Sequence, residues 1–413
     1  MKFITKWALA LVPALAVATP ALAFGPALLS DSEQPGSVIV YPKFINSLWN
    51  GGSLLTVDGI LVSQTEIELG VVCPPNVIAA GFTCTEHLPI KVRMHWVCPG
   101  FEGVNSNICQ EEDFDVWLSI NGKVAFSADG TPINGNSPPL VPAPPCARGY
   151  LIGWVISPVN DLPVKFDGLI GNAVIRNPNL VAGPDAGSST AVSAYSAVTI
   201  QADPAIAVIA PPPTVSQTVV PGSAIPAAAS GLLPFGVPGG YTTVAGVQIG
   251  DVKFDKTTAG APLPNVLSKT SLTLLTLDVL SNAPNDPTFV AMDFWNESLT
   301  NTIGSGSTLF EHLTSTFTEF VCWNQVPLSA LAGGNLTQAF QGTRKGVVIA
   351  GPAEKIADGN APDDLPHPVT LIGLVETVEG TAANGFLERK YNFNMSNDGH
   401  PVVTAFVPLP IFP

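Results

Sequence analysis

The chain has 413 residues, of which 12% are charged, and a formal net charge of −15. A surface this acidic is repelled by phosphate backbones and anionic lipid, which argues against nucleic-acid and membrane-surface binding. Scarce charge also leaves little material for helix surfaces, whereas 40 prolines and 38 glycines imply many turns between short extended segments.

Residues 1–23 read as a secretory signal peptide. Lys2 and Lys6 precede an apolar run from Trp7 to Val17, and Ala21-Leu22-Ala23 supplies an A-x-A cleavage site. The mature chain then begins at Phe24, beyond the inner membrane of a bacterium, in the periplasm, on the cell surface or outside the cell. No later apolar run is long enough to cross a bilayer as a helix. Residues 24–36 read as a flexible arm. A first domain spans 37–203, a charge-free Pro/Gly/Ala-rich linker 204–240, and a second domain 241–413. The linker is apolar enough for part of it to lie against a domain.

In the first domain, apolar and polar residues alternate with period two. Ile90, Val92, Met94, Trp96 and Cys98 fall on one face of a strand, and Lys91, Arg93 and His95 on the other. Ile67, Leu69, Val71 and Cys73 oppose Glu66 and Glu68, and Phe114, Val116, Leu118 and Ile120 oppose Asp113 and Asp115. One dry and one wet face per strand is the pattern of antiparallel sheets packed on one side. Glu66 and Glu68 are expected to face Lys91 and Arg93 across neighbouring strands. Asn-Gly and Asp-Gly pairs, such as Asn121-Gly122, mark hairpin turns. Helix signals are weak: Asn335 to Gln338 resembles a capping box, and Ser188–Ala197 is ambiguous.

Five elements recur in the same order in the two halves. Thr65–Cys73, Ile90–Cys98, Asp113–Ala128, Arg148–Ile156 and Pro163–Ile175 are answered by Leu272–Leu280, Thr288–Trp295, Ser315–Ala330, Arg344–Ala350 and Pro368–Glu379. The expected fold is all-β: two tandem antiparallel β-sandwich domains, immunoglobulin-like or jelly-roll-like, from an internal duplication.

Cys73, Cys84, Cys98, Cys109, Cys146 and Cys322 show no metal-finger spacing, so disulfides are expected in an oxidising compartment. Cys73 and Cys98 would sit at opposite ends of a hairpin, which favours Cys73–Cys84 and Cys98–Cys109, each closing its own loop. Cys146 and Cys322 lie in different halves. They bridge the domains, link chains or stay reduced; a buried free thiol is the expectation for Cys322.

No nucleophile elbow, S-x-x-K, H-E-x-x-H or P-loop occurs, and no cofactor is implied. Arg93, His95, Asp115 and Trp117 share one face and form a candidate patch for a sugar or peptide, against the simpler reading of cross-strand pairs shielding a sheet. Glu111, Asp113 and Asp115 are a weak calcium candidate, since Ca2+ favours oxygen-rich segments, though the spaced loop of a calcium hand is missing.

Val40-Tyr41-Pro42-Lys43-Phe44, Thr65–Pro74, His95–Gly100, Asp113–Trp117 and Cys146–Val155 together resemble a group of uncharacterised secreted bacterial β-rich proteins. The likeness covers mainly residues 37–200. It implies a secreted β domain and carries over no functional residue.

Three functions are open at this point. The first is a non-enzymatic structural or adhesive surface protein, with strand addition by the arm at Phe24–Gly36 as its route to self-association. The second is a binding module for a glycan or small ligand. The third is a hydrolase with an unrecognised site.

Overall fold

The computed structural model describes residues 34–46, 55–57, 60–62, 64–73, 89–99, 109–130, 141–158, 160–178, 189–202, 232–235, 240–242, 244, 248–253, 257–258, 261–262, 267–277, 288–298, 309–328, 345–352, 370–381, 386–394, 396–397 and 405–408. Across these residues the chain is nearly all β.

The first half contributes β1 (Val38–Ile45), β2 (Leu55–Val57), β3 (Ile60–Val62), β4 (Gln64–Val71), β5 (Pro89–Cys98), β6 (Gln110–Ser119), β7 (Lys123–Ser127), β8 (Arg148–Ile156), β9 (Leu169–Pro178), β10 (Ser189–Ser196) and β11 (Val198–Ile200). The second contributes β12 (Leu232–Phe235), β13 (Gln248–Lys253), β14 (Thr257–Thr258), β15 (Ala261–Pro262), β16 (Leu267–Thr276), β17 (Thr288–Ser298), β18 (Leu309–Phe320), β19 (Trp323–Pro327), β20 (Lys345–Pro352), β21 (Leu371–Thr381), β22 (Phe386–Asn394), β23 (Ser396–Asn397) and β24 (Ala405–Pro408).

In the first half, a five-stranded sheet of order β11-β1-β8-β5-β6 and a four-stranded sheet of order β10-β9-β4-β7 enclose one core. Ile39, Tyr41, Met94, Trp96 and Phe114 meet Ile67, Leu69, Phe126, Ala173 and Ile175 there. In the second half, the orders are β23-β13-β20-β17-β18 and β22-β21-β16-β19. Strand for strand, the two halves have the same neighbours. All the main pairings are antiparallel.

β4 lies in the four-stranded sheet, between β7 and β9, and β5 in the other. The expected Glu66/Glu68 pairing with Lys91/Arg93 is therefore corrected. Glu66 sits opposite Ser127 and Val174, and Lys91 and Arg93 sit opposite Trp117 and Asp115. Period-two patterning assigns faces within a strand and says nothing of which strands become neighbours. β10, Ser189–Ser196, lies within the ambiguous Ser188–Ala197 segment, and the expected Asn335 capping box, the expected signal peptide and residues 24–33 lie outside the described residues. Gln34–Gly36, the end of the expected arm, is tied down: Gly36 bridges Leu169, and Thr199 Oγ1 donates to Gln34 O. Part of the expected linker is also packed: β12 pairs with β24, and Leu233 and Phe235 are buried.

Every residue of β1 is buried, which requires cover on both of its faces. Ile39 and Tyr41 face the first core, and Val38 and Val40 face a second one. This second core joins Tyr150, Ile152 and Trp154 of β8 to Leu275, Trp323 and Ile372 of the second half, with Phe235 and Tyr241 between them. The pairing of β1 with β8 slips between Tyr41 and Phe44. Pro42, which has no N–H to give a ladder, sits in this bulge. The slip lets Lys43 point towards the second half, where Nζ lies 3.1 Å from Glu376 Oε2, both side chains buried. Pro42 O accepts a 2.8 Å bond from Trp323 Nε1. On the other side of β1, Tyr41 Oη donates to Glu68 O at 2.8 Å. Gly171 makes room for that phenol, since a Cβ there would lie 2.0 Å from its oxygen.

Two disulfides replace the expected Cys98–Cys109 bridge. Cys98 pairs with Cys146 (Cα–Cα 5.9 Å), and Cys109 pairs with Cys322 of the second half (6.3 Å). Cys98–Cys109 is ruled out by register: Cys98 is opposite Gln110, so Cys109 points to the other face. Cys98 accordingly enters the first core, and Cys109 packs on the second. Cys322 is bonded, not a free thiol. Cys73 is disulfide-bonded, and Cys84, its expected partner, lies outside the described residues.

Candidate functional site

The chemistry-bearing residues gather on the outer face of β5 and β6. Their register sets Lys91 opposite Trp117, Arg93 opposite Asp115, His95 opposite Asp113 and Val97 opposite Glu111. Directly opposed side chains share a face and touch, so the alternation that buries Met94 and Trp96 on one side stacks these polar groups on the other.

At one end, Arg93 Nε and Nη2 donate to the two carboxylate oxygens of Asp115 at 3.0 and 3.3 Å. Lys91 Nζ lies 2.9 Å from Asp115 and 2.7 Å from Asp161. Burial raises the Asp115 carboxyl pKa, but bonds from Arg93 and Lys91 outweigh it and hold the value below the usual range. Burial pulls the Lys91 ammonium down, and its bonds to Asp161 and Asp115 lift it above its ordinary value. Lys91 also sits 5.9 Å from the Trp117 ring centroid, a cation–π contact, and that ring is 54% exposed. The four patch residues named from sequence are thus brought together, with Arg93 and Asp115 bound to each other. Trp117 is the group left facing solvent.

At the other end, His95 is 2% exposed and stacks on Trp154 at 4.3 Å and 14°. Its Nδ1 meets Asp113 Oδ1 and lies 3.9 Å from Glu111 Oε2. The three ligand atoms lie within 4.8 Å of one another. Burial, together with the charge of Asp113, pushes the Glu111 carboxyl up to about 7. Burial lowers the His95 imidazole, against the pull of Asp113. Of the calcium candidates named from sequence, Asp115 is bound by Arg93 and Lys91, while Glu111 and Asp113 lie beside His95. Strand register carried that signal, because His95 and Asp113 are on the wet faces of adjacent strands. It becomes readable only once β5 and β6 are known to pair.

No family model and no curated protein matches the chain. Among solved structures, the chain is similar to the partial N-terminal region of an enterococcal surface protein, at 8% identity, over 83% of this chain and 85% of that one, with a TM-score of 0.17. It is similar to a chain of the Broad Bean Stain Virus structure at 9% identity, over 93% and 94%, with a TM-score of 0.13. A third likeness is to a chain of the T13 IBDV viral particle, at 11% identity, over 92% and 71%, again with a TM-score of 0.13. Likenesses at these TM-scores decide neither fold nor function.

Proposed function

We propose that the chain is a secreted, non-enzymatic structural or adhesive protein of the bacterial exterior, built from two duplicated β-sandwich domains. The observation that carries this reading is the locking of one half to the other. A disulfide, a buried ion pair and a buried indole–carbonyl bond span the junction, and apolar side chains fill it. Hinged binding proteins and many enzymes keep an open crevice at such a junction. A load-bearing or adhesive body is better served by a filled one. The shared strand orders support duplication, and with it domains at 37–203 and 241–413. Disulfides suit a location outside the cytoplasm, and among the described residues no helix is long and apolar enough to cross a membrane.

Self-association is part of the reading. Glu66, Glu68 and Lys123 make the outermost face of the first half polar, and Asp251 and Ser315 do so for the second. Polar outer faces disfavour stacking of sheets between copies. Strand addition by residues 24–33 to a sheet edge of another copy remains the route. β6 and β18 end the two five-stranded sheets among the described residues.

Light scattering of residues 24–413 across concentration tests this. Growth into regular assemblies, lost on deleting 24–33, is the expected result. A sharp monomer at all concentrations overturns self-assembly. The alternative of a glycan-binding module is favoured by one observation, exposed Trp117 beside Lys91. Glycan-array binding abolished by Trp117→Ala would replace the first reading with this one.

A further inference from the structure

We infer that His95, Glu111 and Asp113 form a binding site for one borderline divalent metal ion, of which Zn2+ is the type. The proposal is independent of the structural or adhesive reading.

The case begins with charge. Two carboxylates and an imidazole converge at the end of this face that borders the second apolar core, beside Val97 and Trp154. The neighbouring cations Arg93 and Lys91 already hold Asp115 and Asp161. Glu111 and Asp113 thus present two acidic groups to one another and to a buried ring. Gathering such groups is costly unless a cation is shared between them. His95 is almost wholly buried, and its Nδ1 is aimed between the two carboxylates. Asp113 Oδ1, at the centre of the cluster, is itself buried and lies against Nδ1. Lone pairs from three side chains meeting at one point are the donor set of a metal, with a proton as its competitor.

Ligand chemistry narrows the ion. Ca2+ and Mg2+ favour all-oxygen sets, whereas an imidazole nitrogen with two carboxylates suits Zn2+ and its first-row neighbours. Three protein ligands leave a fourth tetrahedral position open. The Glu111 and Asp113 side chains are 23% and 22% exposed, so an ion has an entry path from the carboxylate side. Trp154, stacked on His95, holds the ring in place from β8.

The test uses oxidised mature chain, stripped with chelator and checked for the absence of free thiol. Calorimetric titration with ZnCl2 should show one equivalent bound, with Ca2+ in large excess failing to compete. Asp113→Asn and His95→Gln should each weaken binding by more than about tenfold, the loss that even outer-sphere partners cause. Co2+ loaded in place of Zn2+ should give a visible ligand-field spectrum that changes in both variants. If either substitution prevents folding, Glu111→Gln carries the same expectation. Absence of stoichiometric Zn2+ uptake overturns the proposal and leaves a proton as the shared cation. Uptake unaltered by all three substitutions overturns it by placing the ion elsewhere.

Discussion

The two halves share one strand order and differ in how their five-stranded sheets are used. In the first half, β1 is buried along its whole length and β8 along all but its first residue. In the second, Val290, Met292 and Phe294 of β17 are buried, while Ala291, Asp293 and Trp295 between them are partly exposed. β13 repeats this, with Val252 buried and Asp251 exposed. The other sheets reverse the relation. β4 alternates strictly, whereas Thr270–Leu277 and Thr370–Thr377 in the second half are buried throughout. The first half's large sheet and the second half's small sheet are therefore the inner layers, and the remaining two face solvent. The same topology thus yields different surfaces according to which face finds a partner. Chemistry follows the layers: the inner large sheet holds His95 against Asp113, whereas the opposed pair Asp293 and Ser315 on the outer large sheet is a carboxylate accepting from a hydroxyl.

Severing the link between the halves should have the largest effect. The Cys109–Cys322 bond closes 213 residues of chain, so Cys109→Ser/Cys322→Ser should lose up to about 5 kcal/mol in guanidinium unfolding. It should also split one transition into two. A single unchanged transition would show that the halves are held together without the bond.

Lys43→Met removes the ammonium 3.1 Å from the buried Glu376 carboxylate, which should cost about 3–5 kcal/mol. Adding Glu376→Leu should recover most of that loss, because a matched apolar pair removes both charges. A double variant as weak as the single would mean that the loss came from packing alone.

The layer comparison is sharpened by truncating equivalent outer faces. Ile152→Ala empties the junction and should cost about 2–5 kcal/mol, whereas Asp251→Ala should stay within about 0.5 kcal/mol. Similar effects at the two sites would refute the assignment of inner and outer layers.

The smallest effect is a change in pH dependence. Burial raises the Asp167 carboxyl despite bonds from Ser37 Oγ and the Ala202 amide and the charge of Lys165. A raised folded-state pKa makes its contribution fullest below the ordinary value of 3.8 and lost as pH rises through the raised one. Asp167→Asn should remove that decline from a pH series of urea midpoints. A series unchanged from the native chain would show that Asp167 titrates alike folded and unfolded.

Much of the fold was legible because side-chain alternation is local. The faces of β4, β5 and β6 follow from Ile67-Glu68-Leu69, Val92-Arg93-Met94 and Phe114-Asp115-Val116 with no knowledge of the rest. The same parity contains the disulfide correction. With Phe114 inward, Cys109 is outward while Cys98 is inward, so those two could not bond across a hairpin. Loop length pointed to that pair, and strand geometry forbade it. Arg93, His95, Asp115 and Trp117 were legible as one face, but not the division into an end paired by Arg93 and Lys91 and a buried end around His95. That division depends on Trp154 arriving from β8, more than fifty residues away in the chain.

By itself, the sequence determined the β class, the turn at Asn121-Gly122 and the faces of β4, β5 and β6. Each of these is set by neighbours within a few residues, where backbone sterics and period-two alternation act. Tertiary structure alone decided that β4 and β5 join different sheets, that Lys43 meets Glu376 and that Cys109 reaches Cys322. It also decided that the polar face around His95 is buried. Those outcomes join residues from one strand to more than three hundred positions apart. The preference of a single strand, which has two usable edges and two usable faces, leaves each of them open until every other strand is in place.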